Sequence, residues 1–311
     1  MNILITGATG FVGKELVQKL AQQECNISIA VRYKTYLFPD YIKQFVVGDF
    51  GLMPDFSASL VDVDCVIHLA GMAHLIDKSK TSVSDVFSKI NCELTLHLAE
   101  QAIENGVDRF IFLSSVGVNG NQNEKPFVET DAPNPQEPYA ISKYEAEQGL
   151  LNLTKRSNLD LVIIRPPLVY GHNAPGNFGR LTKWAKSKIV LPLPLGGVNN
   201  LRSLVAIDNL VGFIIVCMRH PKAANEMFLI CDDKDMSTTE VFKNVAKAFN
   251  KKVFLFPIPV NFMISIAKVF GKESDAVRLF SSLTIDISKA RVLLNWTPII
   301  TMAKQLKNKQ K

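Results

Sequence analysis

The first twenty residues constrain the fold of this chain more than any other segment. A short apolar run, NILIT at 2–6, leads into TGATGFVG, and FVGKELVQKLAQQ then carries apolar residues at helical spacing. This order predicts a strand, a tight turn and a helix. Glycines in the turn let its backbone approach a pyrophosphate closely, and the free N–H groups at the helix start can bind that anion. The segment predicts a dinucleotide site, although its GxxGxxG spacing differs from the GxGxxG fingerprint. The residues expected to meet the cofactor here are Gly7, Gly10, Phe11, Val12 and Gly13.

Strand and helix patterns continue to alternate along the first half of the chain. Apolar runs predict further strands at 27–31, 64–70, 109–115 and 159–166, and helical spacing predicts helices at 83–105 and 138–156. These strands are rich in Val, Ile and Leu without polar alternation, which indicates a parallel sheet covered by helices on both faces. We therefore predict an α/β fold. A Rossmann doubly wound parallel sheet, residues 1–168, precedes a smaller C-terminal α/β substrate lobe, residues 169–311, and the two are interleaved.

The smaller lobe begins with segments rich in Pro and Gly, and helical spacing then predicts helices at 207–219, 237–249 and 259–270. The last of these lies in PIPVNFMISIAKVFG, which is strongly apolar and holds one basic residue, Lys268. Helices that bind membrane surfaces are usually rich in Lys and Arg. We therefore expect this helix to pack within the smaller lobe.

Composition narrows the classes of protein that fit. The five cysteines show no metal-ligand spacing and are odd in number, so we expect neither a disulfide framework nor a metal site. The longest apolar run, LVGFIIVCM, is about half of a roughly 20-residue membrane span, and MNILITG lacks a signal-peptide core. We expect a cytoplasmic protein without membrane insertion. Despite the net charge of +6, no basic and aromatic cluster indicates a nucleic-acid partner.

The end of the second predicted strand bears on the choice of dinucleotide. The fingerprint requires an acidic residue there to bind the ribose 2′-hydroxyl of NAD, whereas ISIAVRYK places Arg32 at that point. An Arg can pair with the 2′-phosphate of NADP. We therefore favour NADP(H) as the cofactor and keep NAD as the alternative, because a single charge decides between them.

The segment YAISK contains a candidate catalytic pair, Tyr139 and Lys143. Residues four apart share a helix face, so the ammonium can favour the phenolate. Lowering the Tyr pKa from about 10 to near 7 takes roughly 4 kcal/mol, which one close Lys together with a positive nicotinamide could provide. By itself the pair could also be two polar residues on one helix. Ser115 ends the strand predicted at 109–115, where its hydroxyl could hydrogen-bond a reacting oxygen while Tyr139 transfers the proton. Because strands alternate faces, only one of Ser114 and Ser115 should face the cleft.

These motifs resemble the extended short-chain dehydrogenases/reductases that act on nucleotide sugars. The similarity extends over nearly the whole chain and rests on an ordered set of strings: TGATGFVG, GDF at 48–50, HLAG at 68–71, INCELT at 90–95, FLSSVGVNG at 112–120, YAISK at 139–143, RPPLVYG at 165–171, RSLVAIDN at 202–209 and LLNWTP at 293–298. The resemblance selects Ser115 as the serine of the cleft. It implies that Ser115, Tyr139 and Lys143 are catalytic, with Lys143 also binding the ribose of the cofactor.

The resemblance implies further binding residues. Positions that would flank the adenine, line the phosphates and ribose, and back the nicotinamide are Asp49, Phe50, Leu69, Ala70, Gly71, Asn91 and Pro167. A UDP-sugar would meet Ser115 and Tyr139 at the reacting carbon, and Asn177 and Arg202 at its diphosphate, with Arg278 as a further contact. Members of this group commonly form homodimers through the helices that correspond to 83–105 and 138–156, and we expect the same here.

Two reactions remain within this group. Its dehydratases carry Asp-Glu after the catalytic serine or threonine, whereas Ser115 is followed by Val-Gly, which disfavours dehydration. Typical 4-epimerases carry an acidic NAD residue, the Tyr of a VYG and an Arg-Asp pair. At the three distinguishing positions this chain has Arg32, Asn119 and Ser203.

By overall similarity the chain looks most like bacterial UDP-4-keto-6-deoxy-N-acetylglucosamine 4-reductases, which make UDP-N-acetylquinovosamine for surface polysaccharides. We therefore expect NAD(P)-dependent reduction of the 4-keto group of a UDP-4-keto-6-deoxy-N-acetylhexosamine. The first alternative is a UDP-hexose 4-epimerase with retained NAD. The second is a non-catalytic regulator that binds a dinucleotide, and the intact Ser115, Tyr139 and Lys143 argue against it.

Overall fold

The computed structural model describes residues 1–73, 83–187 and 192–307. Within these ranges the strands are β1 Asn2–Thr6, β2 Asn26–Val31, β3 Lys43–Val46, β4 Cys65–His68, β5 Arg109–Leu113, β6 Asp160–Arg165, β7 Leu168–Tyr170, β8 Leu204–Ala206 and β9 Glu226–Leu229. Seven of them form an all-parallel sheet in the order β3-β2-β1-β4-β5-β6-β9, and β7 pairs with β8 in a separate parallel pair.

The helices cover both faces of the main sheet and build most of the smaller lobe. They are α1 Phe11–Leu20, α2 Ser57–Leu60, α3 Val83–Phe87, α4 Leu94–Glu104, α5 Pro138–Thr154, α6 Gly176–Lys186, α7 Ile207–Arg219, α8 Thr238–Ala248, α9 Val260–Val269, α10 Glu273–Phe280, α11 Ser288–Leu294 and α12 Met302–Lys307. A π-helical segment, Ser88–Glu93, joins α3 to α4. Short 3₁₀ turns occupy Phe50–Leu52, Val116–Val118 and Pro221–Ala223.

The strand order places a ligand crevice at the centre of the sheet. Strand β1 lies between β2 and β4. The chain therefore adds β2 and β3 on one side of β1, and then crosses over to add β4 on the other side. In open parallel sheets this reversal creates a crevice at the carboxyl ends of the strands. The architecture confirms the predicted doubly wound α/β fold.

Alternation along β1 shows how the sheet is buried on both faces. Ile3 and Ile5 pack into one core with Leu16 of α1, while Leu4 packs into a second core with Leu98 of α4. All five side chains have no exposed surface. Burial of each such side chain contributes about 1.5–3 kcal/mol, which is why continuous apolar strands form here.

One part of the second half of the chain belongs to the main sheet, and another part lies outside it. Strand β9 pairs with β6 as the edge of the main sheet, although it lies beyond residue 169. The apolar helix α9 packs against α10, as expected for the smaller lobe, although none of its residues is fully buried. No helix in the described ranges is long and apolar enough to cross a membrane.

Candidate active site

The turn between β1 and α1 has the geometry of an anion site. Gly7 adopts a left-handed φ of +70°, and a Cβ there would lie 2.5 Å from the backbone nitrogen of Ala70. A Cβ on Gly13 would lie 2.2 Å from the Gly7 carbonyl oxygen. The first turn of α1 contains no acidic residue, and no side chain caps it. The free N–H groups and positive dipole end of α1 therefore fit a pyrophosphate, and Phe11 and Val12 begin the helix that presents them.

The residues predicted around the adenine end lie at the same edge of the sheet. Arg32 follows the last residue of β2 and is exposed. Asp49 accepts a hydrogen bond from the Gly51 nitrogen at 3.0 Å, which shapes the 3₁₀ turn that begins at Phe50. The Phe50 ring packs edge-on against Phe56, with centroids 5.9 Å apart. An exposed cation and a half-buried ring thus border the end of the crevice nearest β2 and β3.

The π-helical segment positions Asn91 beside the strand end of β4. Asn91 is buried, and its side-chain amide accepts from the Met72 nitrogen at 2.8 Å and donates to the Met72 oxygen at 3.0 Å. It also donates to the Ser142 hydroxyl of α5 at 3.0 Å. A Cβ on Gly71 would lie 3.1 Å from Asn91 Oδ1 and 3.3 Å from Lys143 Nζ. Asn91 therefore joins the Leu69–Gly71 segment, with its buried Ala70, to the helix that carries Tyr139.

The two adjacent serines after β5 face opposite ways. Ser114 is buried and donates to Glu147 Oε1 at 2.5 Å. Ser115 is only partly buried, and its hydroxyl accepts from the Gly117 nitrogen at 3.1 Å, which caps the following 3₁₀ turn. The lone proton of the Ser115 hydroxyl is therefore available to a ligand.

Tyr139 and Lys143 occupy the first turns of α5, which begins at Pro138. The buried Lys143 ammonium donates to the Leu113 carbonyl at 3.0 Å and lies 4.5 Å from the Phe112 ring centroid. Tyr139 packs edge-on against Phe87, with ring centroids 6.1 Å apart. The pair shares one helix face at the end of β5, as its spacing predicts.

Burial shifts the pKa of both members of this pair. It raises the pKa of Tyr139 to about 12. Burial lowers the pKa of Lys143 to about 8, and the nearby Glu147 carboxylate opposes that fall. Tyr139 is accordingly a neutral phenol near neutral pH, because desolvation disfavours the phenolate.

A buried ion pair behind the site escaped the sequence analysis. Arg165 donates to both oxygens of Glu147, at 2.9 and 2.5 Å, and to Asn119 Oδ1 at 3.0 Å. Glu147 Oε1 also accepts from the Ser114 hydroxyl, so both oxygens of this carboxylate are hydrogen-bonded. The network locks Ser114 inward. The neighbouring Ser115 is thereby turned toward the cleft, and the only sequence signal was the alternation of strand faces.

His68 connects the phosphate turn to Asn91. Its Nδ1 lies 2.7 Å from the Thr6 hydroxyl, and its Nε2 lies 2.9 Å from the Thr95 hydroxyl, which donates to the Asn91 carbonyl at 2.7 Å. Since the Thr95 proton is used on that carbonyl, His68 Nε2 must donate and Nδ1 must accept. Burial and then the charge of Lys143 lower the pKa of His68 to about 3. His68 is thus a neutral core residue whose two ring nitrogens are both hydrogen-bonded.

Two of the predicted substrate residues, Arg202 and Arg278, lie together beside Glu137. Arg278 pairs with Glu137 at 2.8 Å, and Arg202 donates to the carbonyls of Arg278 and Ser281 at 3.1 and 3.3 Å. Burial and then the charge of Arg278 lower the pKa of Arg202 to about 10. Glu137 directly precedes α5, two residues before Tyr139, and was missed by the sequence analysis.

A cavity of about 710 Å³ opens beside this pair. Its lining includes Asn121, Gln136, Glu137, Lys268, Gly271 and Arg278. Asn177 is exposed on α6 and does not line this cavity, while Pro167 is buried after β6. Among the described residues, no group of three or more His, Cys, Asp or Glu side chains could hold a metal ion.

Comparison with known proteins decides the family. The model of the NAD dependent epimerase/dehydratase family matches residues 3–231. The chain belongs to this family. It is 39% identical over 310 residues to a UDP-glucose 4-epimerase of Vibrio cholerae, covering 98% of this chain and 93% of the relative. The candidate cluster of Ser115, Tyr139 and Lys143 lies within the residues that the family model matches.

Two further proteins are similar to this chain at lower sequence identity. An N-acetyl-α-D-glucosaminyl-diphospho-ditrans,octacis-undecaprenol 4-epimerase of Escherichia coli O157:H7 is 28% identical, covering 88% of this chain and 82% of the relative. The solved UDP-glucuronic acid 4-epimerase of Bacillus cereus in complex with NAD has a TM-score of 0.80 at 22% identity, covering 99% of this chain and 94% of that chain. At that identity the second likeness concerns the family fold alone.

Proposed function

We propose that this family member is an NADP(H)-linked reductase of the 4-keto group of a UDP-4-keto-6-deoxy-N-acetylhexosamine, with a role in surface-polysaccharide biosynthesis. The observation that carries the proposal is Arg32, exposed at the carboxyl end of β2. An acidic side chain at this point would hold the 2′-hydroxyl of NAD, whereas a guanidinium pairs with the 2′-phosphate of NADP.

The cofactor would be held by the elements that border the crevice. The α1 turn would bind its pyrophosphate, Arg32 the 2′-phosphate, Asp49 and Phe50 the adenine side, and Lys143 the nicotinamide ribose. When bound, the nicotinamide supplies the hydride that reduces C4.

The protein residues would manage the oxygen at C4. The Ser115 hydroxyl donates a hydrogen bond to the 4-keto oxygen and orients it. Tyr139 transfers its phenolic proton to that oxygen as negative charge develops there. The Lys143 ammonium, held by the Leu113 carbonyl, stabilises the phenolate that remains.

The second candidate is a UDP-hexose 4-epimerase that retains NAD. It is favoured by the Vibrio cholerae relative, whose name is UDP-glucose 4-epimerase. The same Ser115, Tyr139 and Lys143 would serve this reaction. The two candidates therefore differ in cofactor retention and not in the catalytic set.

The diphosphate of the substrate is the proposed partner of Arg202 and Arg278. Arg278 lines the 710 Å³ cavity, and Arg202 donates to the Arg278 carbonyl. Arg fits diphosphate oxygens in a bidentate manner. The names of the two relatives contain either UDP-glucose or a sugar diphospho-undecaprenol. The proposed substrate class is thus a 4-keto hexosamine on a diphosphate, with uridine as the first carrier to test. We also propose a cytoplasmic homodimer. It would form through α5 and through the helical stretch in which the π-helical segment Ser88–Glu93 joins α3 to α4.

Purified protein tests the proposal. We expect no stoichiometric bound NAD, and NADPH oxidation at 340 nm when UDP-4-keto-6-deoxy-N-acetylglucosamine is added. Retained NAD together with interconversion of UDP-glucose and UDP-galactose, without NADPH consumption, would establish the epimerase. Arg32→Asp should shift the preference from NADPH toward NADH by about tenfold or more, because it removes the cation for the 2′-phosphate.

A further inference from the structure

Glu137 and Arg278 form an ion pair on the lining of the 710 Å³ cavity. One guanidinium nitrogen, Arg278 Nη1, donates to both carboxylate oxygens of Glu137, at 2.9 and 2.8 Å. The side chains of Arg278 and Glu137 are 57% and 36% exposed, so water reaches both partners. Exposed ion pairs are weak, because solvent and salt screen their charges. A second anion in the cavity can therefore compete with Glu137 for Arg278.

The pair connects the smaller lobe to the helix of the candidate catalytic cluster. Arg278 belongs to α10, whereas Glu137 directly precedes α5 and lies two residues before Tyr139 in the sequence. Among the proposed substrate contacts, Arg278 is thus the one that a carboxylate next to the cluster already holds.

A second guanidinium lies behind Arg278. Arg202 donates to the carbonyl oxygens of Arg278 and Ser281, at 3.1 and 3.3 Å, and these acceptors are neutral. Burial and then the charge of Arg278 lower the pKa of Arg202 to about 10, so the two positive charges repel each other. One Glu137 carboxylate offsets only part of this charge. A diphosphate carries more negative charge, and its oxygens fit the guanidinium fork.

The surroundings of Glu137 favour its carboxylate even without Arg278. Glu137 is the N-cap residue of α5, and its side chain makes no capping hydrogen bond. The first turn of α5 holds no acidic residue. Free N–H groups and the positive end of the helix dipole favour a negative charge at this place. A carboxylate displaced from Arg278 therefore remains beside a positive helix end.

We infer that Glu137 is the counter-ion that the substrate diphosphate displaces from Arg278, so that its charge sets how tightly the cavity binds a nucleoside diphosphate. This inference rests on the proposed function, which assigns the diphosphate to Arg202 and Arg278. Glu137 is a positioning residue, since it acts through Arg278. Its competition weakens binding, and weaker binding favours release of the diphosphate product, because affinity differences lie mostly in the dissociation rate.

Binding of UDP tests the inference without turnover. Isothermal titration of the full chain gives the Kd of the wild type and of Glu137→Gln. The variant should bind UDP about three- to fivefold more tightly, because Arg278 no longer has to leave a carboxylate. A damaged fold would weaken binding, so misfolding cannot produce this gain. Glu137→Ser supplies a second variant, since Ser is favourable at an N-cap.

Two further variants show whether the effect passes through Arg278. Glu273→Gln removes the same charge from the lining of the same cavity, but its ion-pair partner is Lys268, so the Kd should stay within about twofold of wild type. Arg278→Met should weaken UDP binding about tenfold, and adding Glu137→Gln to it should cause no further change. An equal gain in both Gln variants, or a gain that persists without Arg278, would overturn the inference.

Activity measurements separate this inference from the proposed function. With the UDP-linked 4-keto sugar, the KM of Glu137→Gln should fall about threefold without a rise in kcat. If the wild type oxidises NADPH but Glu137→Gln leaves the Kd for UDP unchanged or raises it, the inference fails and the proposed function stands. If Glu137→Gln tightens UDP binding but no keto sugar is reduced, the exchange of partners stands and the reductase proposal fails. A wild-type protein that does not bind UDP would overturn both.

Discussion

Two ion pairs join distant parts of this molecule, and one is buried whereas the other is exposed to solvent. Arg165 and Glu147 have side chains only 2% and 0% exposed and lie behind the catalytic cluster. Arg278 and Glu137 are 57% and 36% exposed and lie at the 710 Å³ cavity. The first pair is hydrogen-bonded on both sides and holds one arrangement. The second is solvated and can exchange its partner for a ligand at little cost.

The same contrast extends to the surroundings of each pair. On the dinucleotide side, buried side chains such as His68 and Asn91 connect β1, β4 and α5 in chains of hydrogen bonds. On the substrate side, α9 has no buried residue. A rigid half can hold a cofactor and reacting groups in fixed geometry, while a less buried half can differ among sugars and carriers.

Glu147→Gln should produce the largest effect on stability. It leaves the Arg165 charge buried without its partner, so we expect the free energy of unfolding to fall by about 3–5 kcal/mol. Urea denaturation followed by circular dichroism measures this change. Combining it with Arg165→Met should restore part of the loss. A fall below about 1 kcal/mol would show that the buried pair is not the rigid element of the comparison.

Tyr139→Phe should produce the largest effect on turnover without a comparable effect on folding. Loss of a proton donor lowers kcat by about 100-fold or more. Steady-state kinetics with the preferred UDP-sugar measures it, and Tyr144→Phe on the same helix is the matched control. Turnover within about threefold of wild type would remove Tyr139 from the proposed mechanism.

His68 should make the free energy of unfolding of the dinucleotide side depend on pH in the acidic range. The unfolded chain binds a proton at this residue near pH 6.5, whereas the folded protein does so only near pH 3. Between these values the unfolded state holds more protons, so stability falls as the pH drops from about 6.5 toward 3. Above pH 6.5 this contribution is constant.

Comparison of the wild type with a variant that lacks His68 shows how much of the pH dependence of unfolding comes from this residue. Denaturation of wild type and His68→Gln across pH 4 to 8 should give a smaller slope for the variant below pH 6.5. His220→Gln, a histidine outside the site, serves as the comparison. Equal slopes for wild type and His68→Gln would contradict the neutral buried state.

Arg278→Met should have the smallest effect on stability. Exposed pairs contribute about 0–1 kcal/mol, so the free energy of unfolding should change by no more than that. If Arg278 binds the diphosphate, KM should rise about tenfold, equivalent to roughly 1.4 kcal/mol, with kcat little changed. An unchanged KM would remove Arg278 from the proposed substrate site and leave the contrast of the two pairs intact.

Local patterns predicted the elements but not how their side chains would meet. The helix predicted at 138–156 is observed as Pro138–Thr154, and the helix predicted at 207–219 is observed with those bounds. By contrast, Glu137 and Arg278 are 141 residues apart, and no spacing rule links them. The apolar composition of α9 predicted packing within the smaller lobe, and α9 does pack against α10, but composition does not show which face a neighbour covers or how fully.

The amino-acid sequence alone determined the glycine turn, the buried parallel strands and the placement of Tyr139 and Lys143 on one helix face. These features depend on backbone freedom, side-chain period and hydrogen bonds between near neighbours, which a short segment carries within itself. Only the tertiary structure decided that Glu147 turns Ser114 inward, that Lys143 binds the Leu113 carbonyl, and that Tyr139 stays protonated. Those outcomes depend on burial and on partners from distant segments, because desolvation and long-range hydrogen bonds exist only once the chain has folded.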